Sequence, residues 1–426
     1  VAYYMSTIKI KIDRLVFGGQ GMGEVDGKKF FVWNALPGET VEARVTKNKP
    51  DYGEAVTEHI ITSSPQRRDA RENHFLSCSP WQILDFSKEN KWKERIIQEA
   101  FARENVDLSP DAIVTDGVEY GYRNKMEFSF WSETENDLSL AFFSRGGKRK
   151  IPILGCCLAK NEINQVAQDI RDQLAIAGIR GWHVKSLIVR ATQKGMVHAA
   201  LFIKKDDISL PEFVIEKPLE SFTVYYSTHK SPASVPTKVL ARYGSDDLID
   251  DIGECVFSYS PLSFFQVNVP VYVLALKDIA QWVESGRVVD VYSGVGSIGL
   301  SIARQASELV LIENDTFACA SAKKNSKMNG YDHAQIIEGR AEDYETAIDS
   351  DSTVIVDPPR AGLHHRIIEQ LKKARPRTMM YLSCNLSTQA RDIALLADTY
   401  SVVCSRGYNF FPHTPHIEHL VVLKVR

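Results

Sequence analysis

The sequence predicts a multidomain α/β protein with a small OB-like β-barrel, a central α+β domain and a C-terminal Rossmann-like domain. At 426 residues the chain is long enough for about three domains with a sizeable core. Short strand patterns separated by glycine turns fill the first segment. From Gly253 onward, strand and helix patterns alternate, which indicates a parallel sheet covered by helices. We therefore place the three domains at residues 6–62, 63–250 and 251–426.

The N-terminal segment has the pattern of a small barrel. Isoleucines alternate with polar residues over 8–12, as in a half-buried strand. A glycine-rich turn at 17–23 follows, and then further strand patterns at 29–32 and 41–45. Barrels of this kind commonly hold single-stranded nucleic acid, although a barrel without a ligand fits the pattern equally well.

The central segment mixes strands with helices. Residues 88–105 show a helical period whose apolar positions form one face, and 161–177 is a second predicted helix ended by Gly178. Residues 122–130 alternate apolar and polar side chains and carry two cations beside a tyrosine. The region presents basic and aromatic residues, a composition compatible with RNA contact that does not require it.

The C-terminal segment ends differently from a dinucleotide dehydrogenase. Its last two strand patterns, 400–404 and 419–425, have no helix between them. A terminal antiparallel hairpin on a parallel sheet is typical of class I methyltransferases. The preceding parallel strands are predicted at 287–291, 309–313, 334–337, 353–356 and 378–383.

Composition limits the setting of the protein. The chain has 51 Lys and Arg against 54 Asp and Glu, a net charge of -3, so no extensive basic surface is indicated. Its seven cysteines are odd in number and scattered, which favours a reducing, cytoplasmic setting over a disulfide framework. The sequence has neither an apolar run long enough for a membrane span nor a signal-peptide pattern.

A glycine turn indicates a cofactor that contains adenosine. Residues 294–299 fit G-x-G-x-x-G, and Glu313 ends the next predicted strand about 20 residues later. The motif alone does not separate NAD from S-adenosylmethionine, and a turn used only for packing is the plain alternative. The late position in the chain and the terminal hairpin favour the methyl donor.

A cysteine marks a second strand end. Cys384 lies between the strand 378–383 and a predicted helix, where a thiolate is favoured, although a lone cysteine is commonly a buried apolar residue. At a neighbouring strand end, Asp357 and Arg360 flank two prolines. An acid and an arginine there suit the hydrogen-bonding edge of a planar base, and a rigid loop is the alternative.

Two further segments contain candidate functional residues. In the segment 264–268, core packing explains the phenylalanines but not the amides Gln266 and Asn268. Three histidines at 413, 416 and 419 do not predict a metal site, because side chains three apart in an extended segment point to opposite faces. His416 and Glu418 share a face, which makes Glu418 a candidate general base, with a surface carboxylate as the alternative.

Taken in order along the chain, these motifs resemble those of the RNA uracil-5-methyltransferases. The resemblance extends nearly end to end: the N-terminal barrel is similar to the TRAM domain of that family, and 121–125 resembles the start of its central domain. The segments that carry the resemblance are FQVN at 265–268, DVYSGVG at 290–296, DPPR at 357–360, SCN at 383–385 and HIE at 416–418.

The resemblance implies a role for each motif. Cys384 matches the nucleophile and Glu418 the base that removes the C5 proton of uracil. The positions that match cofactor contacts, or line that site, are Gln266, Tyr292, Gly294, Glu313 and Asp357. The residues expected to contact the substrate are Arg360 and Asn385.

The implied activity is S-adenosylmethionine-dependent methylation of C5 of a uridine in RNA, through a covalent bond between the cysteine and C6. Large-subunit (23S) ribosomal RNA is the expected substrate, because the barrel is commoner among such members, and the T-loop of transfer RNA is the alternative. We expect a monomer. An NAD-dependent oxidoreductase and a non-catalytic RNA-binding protein are the other hypotheses.

One departure from the family concerns an iron–sulfur cluster. Many members hold a [4Fe-4S] cluster with four cysteines, but Glu72 and Trp81 stand at two of those positions here. Only Cys78 and one of the pair Cys156 and Cys157, taken as Cys157, remain. Two thiolates do not complete a four-cysteine site, so we expect neither a cluster nor another bound metal.

Overall fold

The first domain is a closed barrel. The computed structural model describes residues 6–134, 137–145, 147, 149–228, 234–245, 247–284 and 286–426. The barrel strands are β1 (Thr7–Lys11), β2 (Arg14–Leu15), β3 (Gly21–Val25), β4 (Lys28–Trp33), β5 (Thr40–Asn48) and β6 (Tyr52–Thr62). β1 pairs with β5 at one end of the sheet, and β2 pairs with β3 at the other end. Because β1 and β2 follow each other in the chain, the bend between them closes the sheet into a barrel. A Cβ at Gly23 would lie 2.0 Å from the Lys11 carbonyl oxygen, which explains the glycine at this crossing.

A connector joins the barrel to the rest of the molecule and carries α1 (Phe75–Cys78) and α2 (Phe86–Arg103). Trp81 is buried with Leu15 and Leu36 of the barrel, and its Nε1 donates to the Gly19 carbonyl at 2.9 Å. The apolar face of α2 is buried in the same cluster as the C-terminal sheet, rather than with the central domain. The exact domain boundaries remain a prediction.

The central domain is a sheet of seven strands with one long helix against it. Its elements are β7 (Lys125–Trp131), β8 (Ser139–Phe143), β9 (Lys150–Ile153), α3 (Asn161–Ile176), β10 (Val184–Ala191), β11 (Val197–Ile203), β12 (Leu219–Tyr226) and β13 (Lys238–Tyr243). The strand order is β13-β12-β11-β10-β7-β8-β9. Only β11 and β12 run parallel to each other among these described strands.

The C-terminal domain is the predicted Rossmann-like sheet. Its elements are β14 (Leu248–Ile252), β15 (Cys255–Tyr259), α4 (Val269–Gln281), β16 (Gly286–Val291), α5 (Ser297–Ser301), β17 (Ala306–Glu313), α6 (Thr316–Met328), β18 (Gln335–Glu338), β19 (Thr353–Val356), α7 (His365–Ala374), β20 (Thr378–Ser383), α8 (Leu386–Leu396), β21 (Tyr400–Tyr408) and β22 (Glu418–Val425). The order is β18-β17-β16-β19-β20-β22-β21, with β22 antiparallel to both neighbours. The predicted terminal hairpin is therefore present.

Both faces of this sheet are covered. In β20, Met379 and Tyr381 are buried on the side of α2, α7 and α8, while Met380 and Leu382 are buried on the side of α4, α5 and α6. Burial on both faces explains why the strands read as continuous apolar runs. Among the described residues, no helix combines the length and the apolar character that crossing a membrane requires.

Candidate active site

Predicted functional residues meet at one edge of the C-terminal sheet. Tyr292, Asp357 and Cys384 directly follow the last residues of β16, β19 and β20, and Glu313 is the last residue of β17. These strands are parallel, so their carboxyl ends share an edge, where ligands bind in open α/β sheets.

The sheet register brings Cys384 and Glu418 together. Ser383 pairs with His419 across the antiparallel strands β20 and β22, so one more step sets Cys384 opposite Glu418. Both lie on the face defined by Leu382, because side chains alternate along a strand. Directly opposed residues have Cβ atoms about 4.5–5.5 Å apart. The thiol and the carboxylate are neighbours although they are distant in sequence.

A cleft of 860 Å³ opens over this pair. Glu418 is only 4% exposed, whereas Cys384 and Asp357 are half-buried. The cleft is also lined by Gln266 and by basic and aromatic side chains from separate stretches of the chain. These are Arg123, Lys125, Phe142, Phe143, Arg145, Phe264, Arg360, Phe411 and His416.

The free thiol is protonated at neutral pH. Burial, together with the carboxylates of Glu418 and Asp357, raises the pKa of Cys384 to about 11, and the hydrogen bond with Arg360 opposes this shift. The prediction that its place before α8 favours a thiolate is therefore wrong for the free protein. Burial also raises the pKa of Asp357 to about 7 and that of Glu418 well above its usual range.

The opposing effects of these charges on the thiol pKa predict how fast Cys384 is alkylated. Negative charge beside a thiol raises its pKa, so Asp357→Asn is expected to increase the rate at which iodoacetamide alkylates Cys384 at pH 8. Arg360→Ala is expected to decrease that rate, because the guanidinium lowers the thiol pKa. In the unmodified protein the rate should rise about tenfold per pH unit below the pKa. Equal rates in the two variants, measured by peptide mass spectrometry, would contradict this account.

The glycine turn is held by carboxylates. The Gly294 N–H donates to Glu313 Oε2 at 2.9 Å, and the Gly299 N–H donates to Asp290 Oδ2 at 2.8 Å. Gly294 has φ +56°, and a Cβ built there would meet no atom within 4 Å, so this side of the turn faces open space. A pyrophosphate would compete with these acids for the turn's N–H groups, which disfavours a dinucleotide.

A second cavity of 730 Å³ adjoins the turn. Tyr292 lines it, at a φ of +66° that is uncommon for a residue with a side chain. Glu313 and the segment 339–342 also line it. Pro359 lines this cavity and the cleft alike, so the loop after β19 is a wall common to both.

Buried polar atoms near the turn fit a bound polar group. Among the described residues, Ser293 Oγ and Asp290 Oδ1 are buried without a hydrogen-bond partner. Burial raises the pKa of Asp290 to about 8. Buried polar groups are nearly always paired, so these atoms indicate a place for a ligand. A ligand with a positive charge suits this acidic surrounding better than an anion does.

Asn385 supports the site rather than lining either cavity. Its Oδ1 accepts from the Ser387 N–H at 3.2 Å and caps α8, while its Nδ2 donates to the Arg360 carbonyl at 2.8 Å. The side chain thus ties the loop of Arg360 to the residue after Cys384. Direct contact between Asn385 and the substrate stays a prediction.

Two features of the cleft were not evident from the sequence. Phe264 is 78% exposed at the cleft, so core packing explains only Phe265, which is buried and stacked on Tyr259 at 4.3 Å. Burial and the nearby Arg190 lower the pKa of Lys125 to about 7. The basic character of 122–130 was the only signal for this second feature.

The three regularly spaced histidines lie in different surroundings. His413 is buried and stacked on Tyr120 at 4.4 Å, and His416 lines the cleft. His419 is buried between Gln389 and a serine of β21. They do not form a shared ligand set among the described residues.

Comparison with known proteins identifies the family. A family model described as tRNA (uracil-5-)-methyltransferase matches residues 251–426, and one described as TRAM domain matches residues 2–57. The C-terminal domain thus belongs to the tRNA (uracil-5-)-methyltransferase family, and the barrel is a TRAM domain. The chain is therefore an S-adenosylmethionine-dependent enzyme that methylates RNA, which confirms the predicted family and cofactor.

Relatives of this methyltransferase match it along nearly their whole length. An uncharacterized RNA methyltransferase of Halalkalibacterium halodurans is 27% identical over 98% of this chain and 97% of the relative. Another, of Aquifex aeolicus, is 29% identical over 98% and 99%.

A solved structure supports the fold of the methyltransferase. The Pyrococcus abyssi tRNA (uracil-54, C5)-methyltransferase, in complex with S-adenosyl-L-homocysteine, superposes with a TM-score of 0.80 at 22% identity. The match covers 98% of this chain and 100% of that one. This likeness confirms the predicted fold class.

Proposed function

We propose that this methyltransferase modifies C5 of a uridine in RNA through a covalent bond between Cys384 Sγ and C6 of the base. The observation that carries the proposal is that a thiol and a buried carboxylate, paired across β20 and β22, both line one cleft. C5 of uracil is a weak nucleophile, and addition of sulfur at C6 turns it into an enolate carbon.

The chain's own residues account for the proton and electron movements. Arg360 lowers the pKa of Cys384 and of Glu418, so it favours the ionised form of each. The thiol proton leaves to water through the open cleft, sulfur bonds to C6, and the C5–C6 π electrons move to C5 and O4. Once C5 carries the methyl group, the Glu418 carboxylate takes the C5 proton. The released electron pair re-forms the double bond, and the C6–S bond breaks to return the thiolate.

Negative charge on O4 requires fixed donors. Arg360 and Gln266 line the cleft, and Gln266 is 7% exposed. The Gln266 backbone is held because its carbonyl accepts from Asn124 Nδ2 at 3.1 Å, and the following carbonyl accepts from the Asn124 N–H at 2.9 Å. Preorganised donors of this kind stabilise developing charge without reorganisation.

The cofactor residues fit S-adenosylmethionine. When bound, it supplies the methyl group to C5. Glu313, at the end of β17, suits the ribose hydroxyls, and Tyr292 lines the same cavity. The unpaired oxygens of Asp290 and Ser293 suit the polar part of the methionine moiety. Asp357, which lines the cleft, adds negative charge that suits a sulfonium.

The cleft also suits a uridine that has left its stack. Arg123 and Arg145 supply positive charge for phosphates, and the exposed ring of Phe264 offers a stacking surface for a base. The TRAM barrel flanks this cleft. Arg145, which lines the cleft, packs over the ring of Trp33 in the barrel at 4.3 Å. An extruded uridine would thus be bound between the barrel and the catalytic sheet.

For the RNA itself we propose large-subunit ribosomal RNA, with the T-loop of transfer RNA as the alternative. The presence of the barrel supports the first. The name of the Pyrococcus abyssi protein specifies transfer RNA, which keeps the second. Mapping the 5-methyluridine that is lost from total RNA of a deletion strain, and restored by the purified protein, would distinguish them.

A trapping experiment tests the chemistry. Fluorine at C5 is not removed by a base, so RNA transcribed with 5-fluorouridine should stop the reaction at the covalent stage. We expect a protein–RNA band that survives denaturing electrophoresis and carries label from methyl-labelled S-adenosylmethionine. Peptide mapping should locate the bond at Cys384. Methylation of ordinary RNA without any trapped band would contradict the covalent mechanism.

A further inference from the structure

Four potential metal ligands converge away from the catalytic pair. Glu72, His74 and Cys78 come from the connector, and Cys156 comes from the loop between β9 and α3. One ligand atom from each lies within 4.8 Å of all the others. His74 and Cys156 are buried, and the other two are half-buried.

The separations resemble the edges of a tetrahedral site. Cys78 Sγ and Cys156 Sγ are 3.8 Å apart, and His74 Nε2 lies 3.4 Å from Glu72 Oε2. Bonds of about 2.3 Å to sulfur and about 2.0–2.2 Å to nitrogen and oxygen give tetrahedral edges of about 3.8 Å and about 3.4 Å. The two measured pairs therefore have the spacing that a zinc ion requires.

Two of the four ligands differ in how they are held. His74 Nε2 is buried and makes no hydrogen bond within the described part of the chain. By contrast, the carboxylate of Glu72 is held in place, since its Oε1 accepts from the Cys157 N–H at 2.5 Å and its Oε2 from Gln82 Nε2 at 3.2 Å. Supporting hydrogen bonds of this kind orient metal ligands in proteins.

We propose that this methyltransferase binds one structural Zn²⁺ through Glu72, His74, Cys78 and Cys156. Two thiolates with an imidazole and a carboxylate form a closed four-ligand set that suits zinc and not Mg²⁺ or Ca²⁺, which take oxygen ligands. The structure corrects one sequence prediction: the cysteine that faces Cys78 is Cys156 and not Cys157. The prediction of no bound metal rested on the two missing cysteines and on the spacing of the three histidines, and it did not include Glu72 and His74 as ligands.

The ion would fix one wall of the catalytic cleft. Cys78 and the preceding Ser77 line that cleft, and the His74 ring packs edge-on against Phe142, which lines it too. Zinc bound here would join the connector to the central domain beside the cleft in which the uridine is proposed to bind. It takes no part in the methyl transfer, so its presence is independent of the proposed reaction.

Metal analysis of the full chain tests this proposal. Protein purified without chelators should contain about one zinc per chain. Cys78→Ser and Cys156→Ser should each lower zinc affinity by more than about 100-fold, beyond the loss typical of a supporting hydrogen bond. Cys157→Ser is the matched control: the Cys157 thiol donates to Glu72 Oε2 at 3.0 Å, a bond that the serine hydroxyl can replace, so the affinity should stay within about tenfold of the unmodified protein.

A spectroscopic titration keeps the test valid if a variant fails to fold. Chelator-treated wild-type protein should bind one Co²⁺, with thiolate-to-cobalt charge transfer in the near ultraviolet and the intense visible bands of a tetrahedral ion. Zinc should displace the cobalt and raise the melting temperature. Folded wild-type protein that binds neither ion would overturn the proposal. So would stoichiometric iron and sulfide, or a Cys78–Cys156 disulfide found by mass spectrometry.

Discussion

Replacing Cys384 with alanine is expected to abolish methyl transfer to RNA and to remove any covalent RNA adduct. The thiol lies opposite Glu418 and its surroundings already hold Arg360 and Asp357, so its loss deletes the nucleophile without disturbing the strands. We expect kcat/KM to fall by about 10⁴-fold or more, because a nucleophile and its partners act as a unit. Incorporation of labelled methyl groups into RNA and denaturing gels would measure both losses.

Cofactor binding separates this effect from misfolding. Cys384 does not line the cavity of Tyr292 and Glu313, so the alanine variant should bind S-adenosylmethionine with nearly unchanged affinity in calorimetry. Cys404→Ala, on β21 and outside both cavities, is the matched control and should retain full activity. Residual methylation above about 1% of wild type in the Cys384 variant would exclude the covalent route.

The fold was predictable because its elements carry strong local signals. Strands buried on both faces, such as Thr378–Ser383, read as apolar runs that end at polar residues. The ends of the strands in the last hairpin were harder to predict. The strand from Tyr400 reaches Tyr408, four residues beyond the predicted end, because Tyr408 pairs with Glu418. Pairing between distant strands supplies hydrogen bonds that local sequence patterns do not report.

The residues of the site could be predicted from the sequence, but the pKa of the thiol could not. Strand-end placement led to Cys384 and Asp357, but the thiol pKa depends on burial and on a carboxylate from another strand. The same limitation applies to the proposed zinc ligands. Cys156 lies beside Cys78 only because the connector packs against the central domain, and no spacing in the sequence predicts that contact.

The second large effect concerns Glu418, where we expect Glu418→Gln to accumulate a methylated covalent adduct. The amide has nearly the shape of the acid but does not accept the C5 proton, so elimination of Cys384 stops. Removing the charge also lowers the thiol pKa, since Glu418 helps to raise it, so adduct formation should not be impaired. We expect turnover to fall about 10²–10⁴-fold.

The position of the label identifies the step at which Glu418 acts. With methyl-labelled S-adenosylmethionine, the protein–RNA band of Glu418→Gln should carry label, while Cys384→Ala, Glu418→Gln should give no band. Glu369→Gln, on the exposed side of α7, is the control and should turn over normally. An adduct without label would mean that Glu418 acts before methyl transfer, and no adduct at all would assign proton removal to another group. Asp357, which lines the same cleft and whose charge raises the pKa of Glu418, is the group to test next in that case.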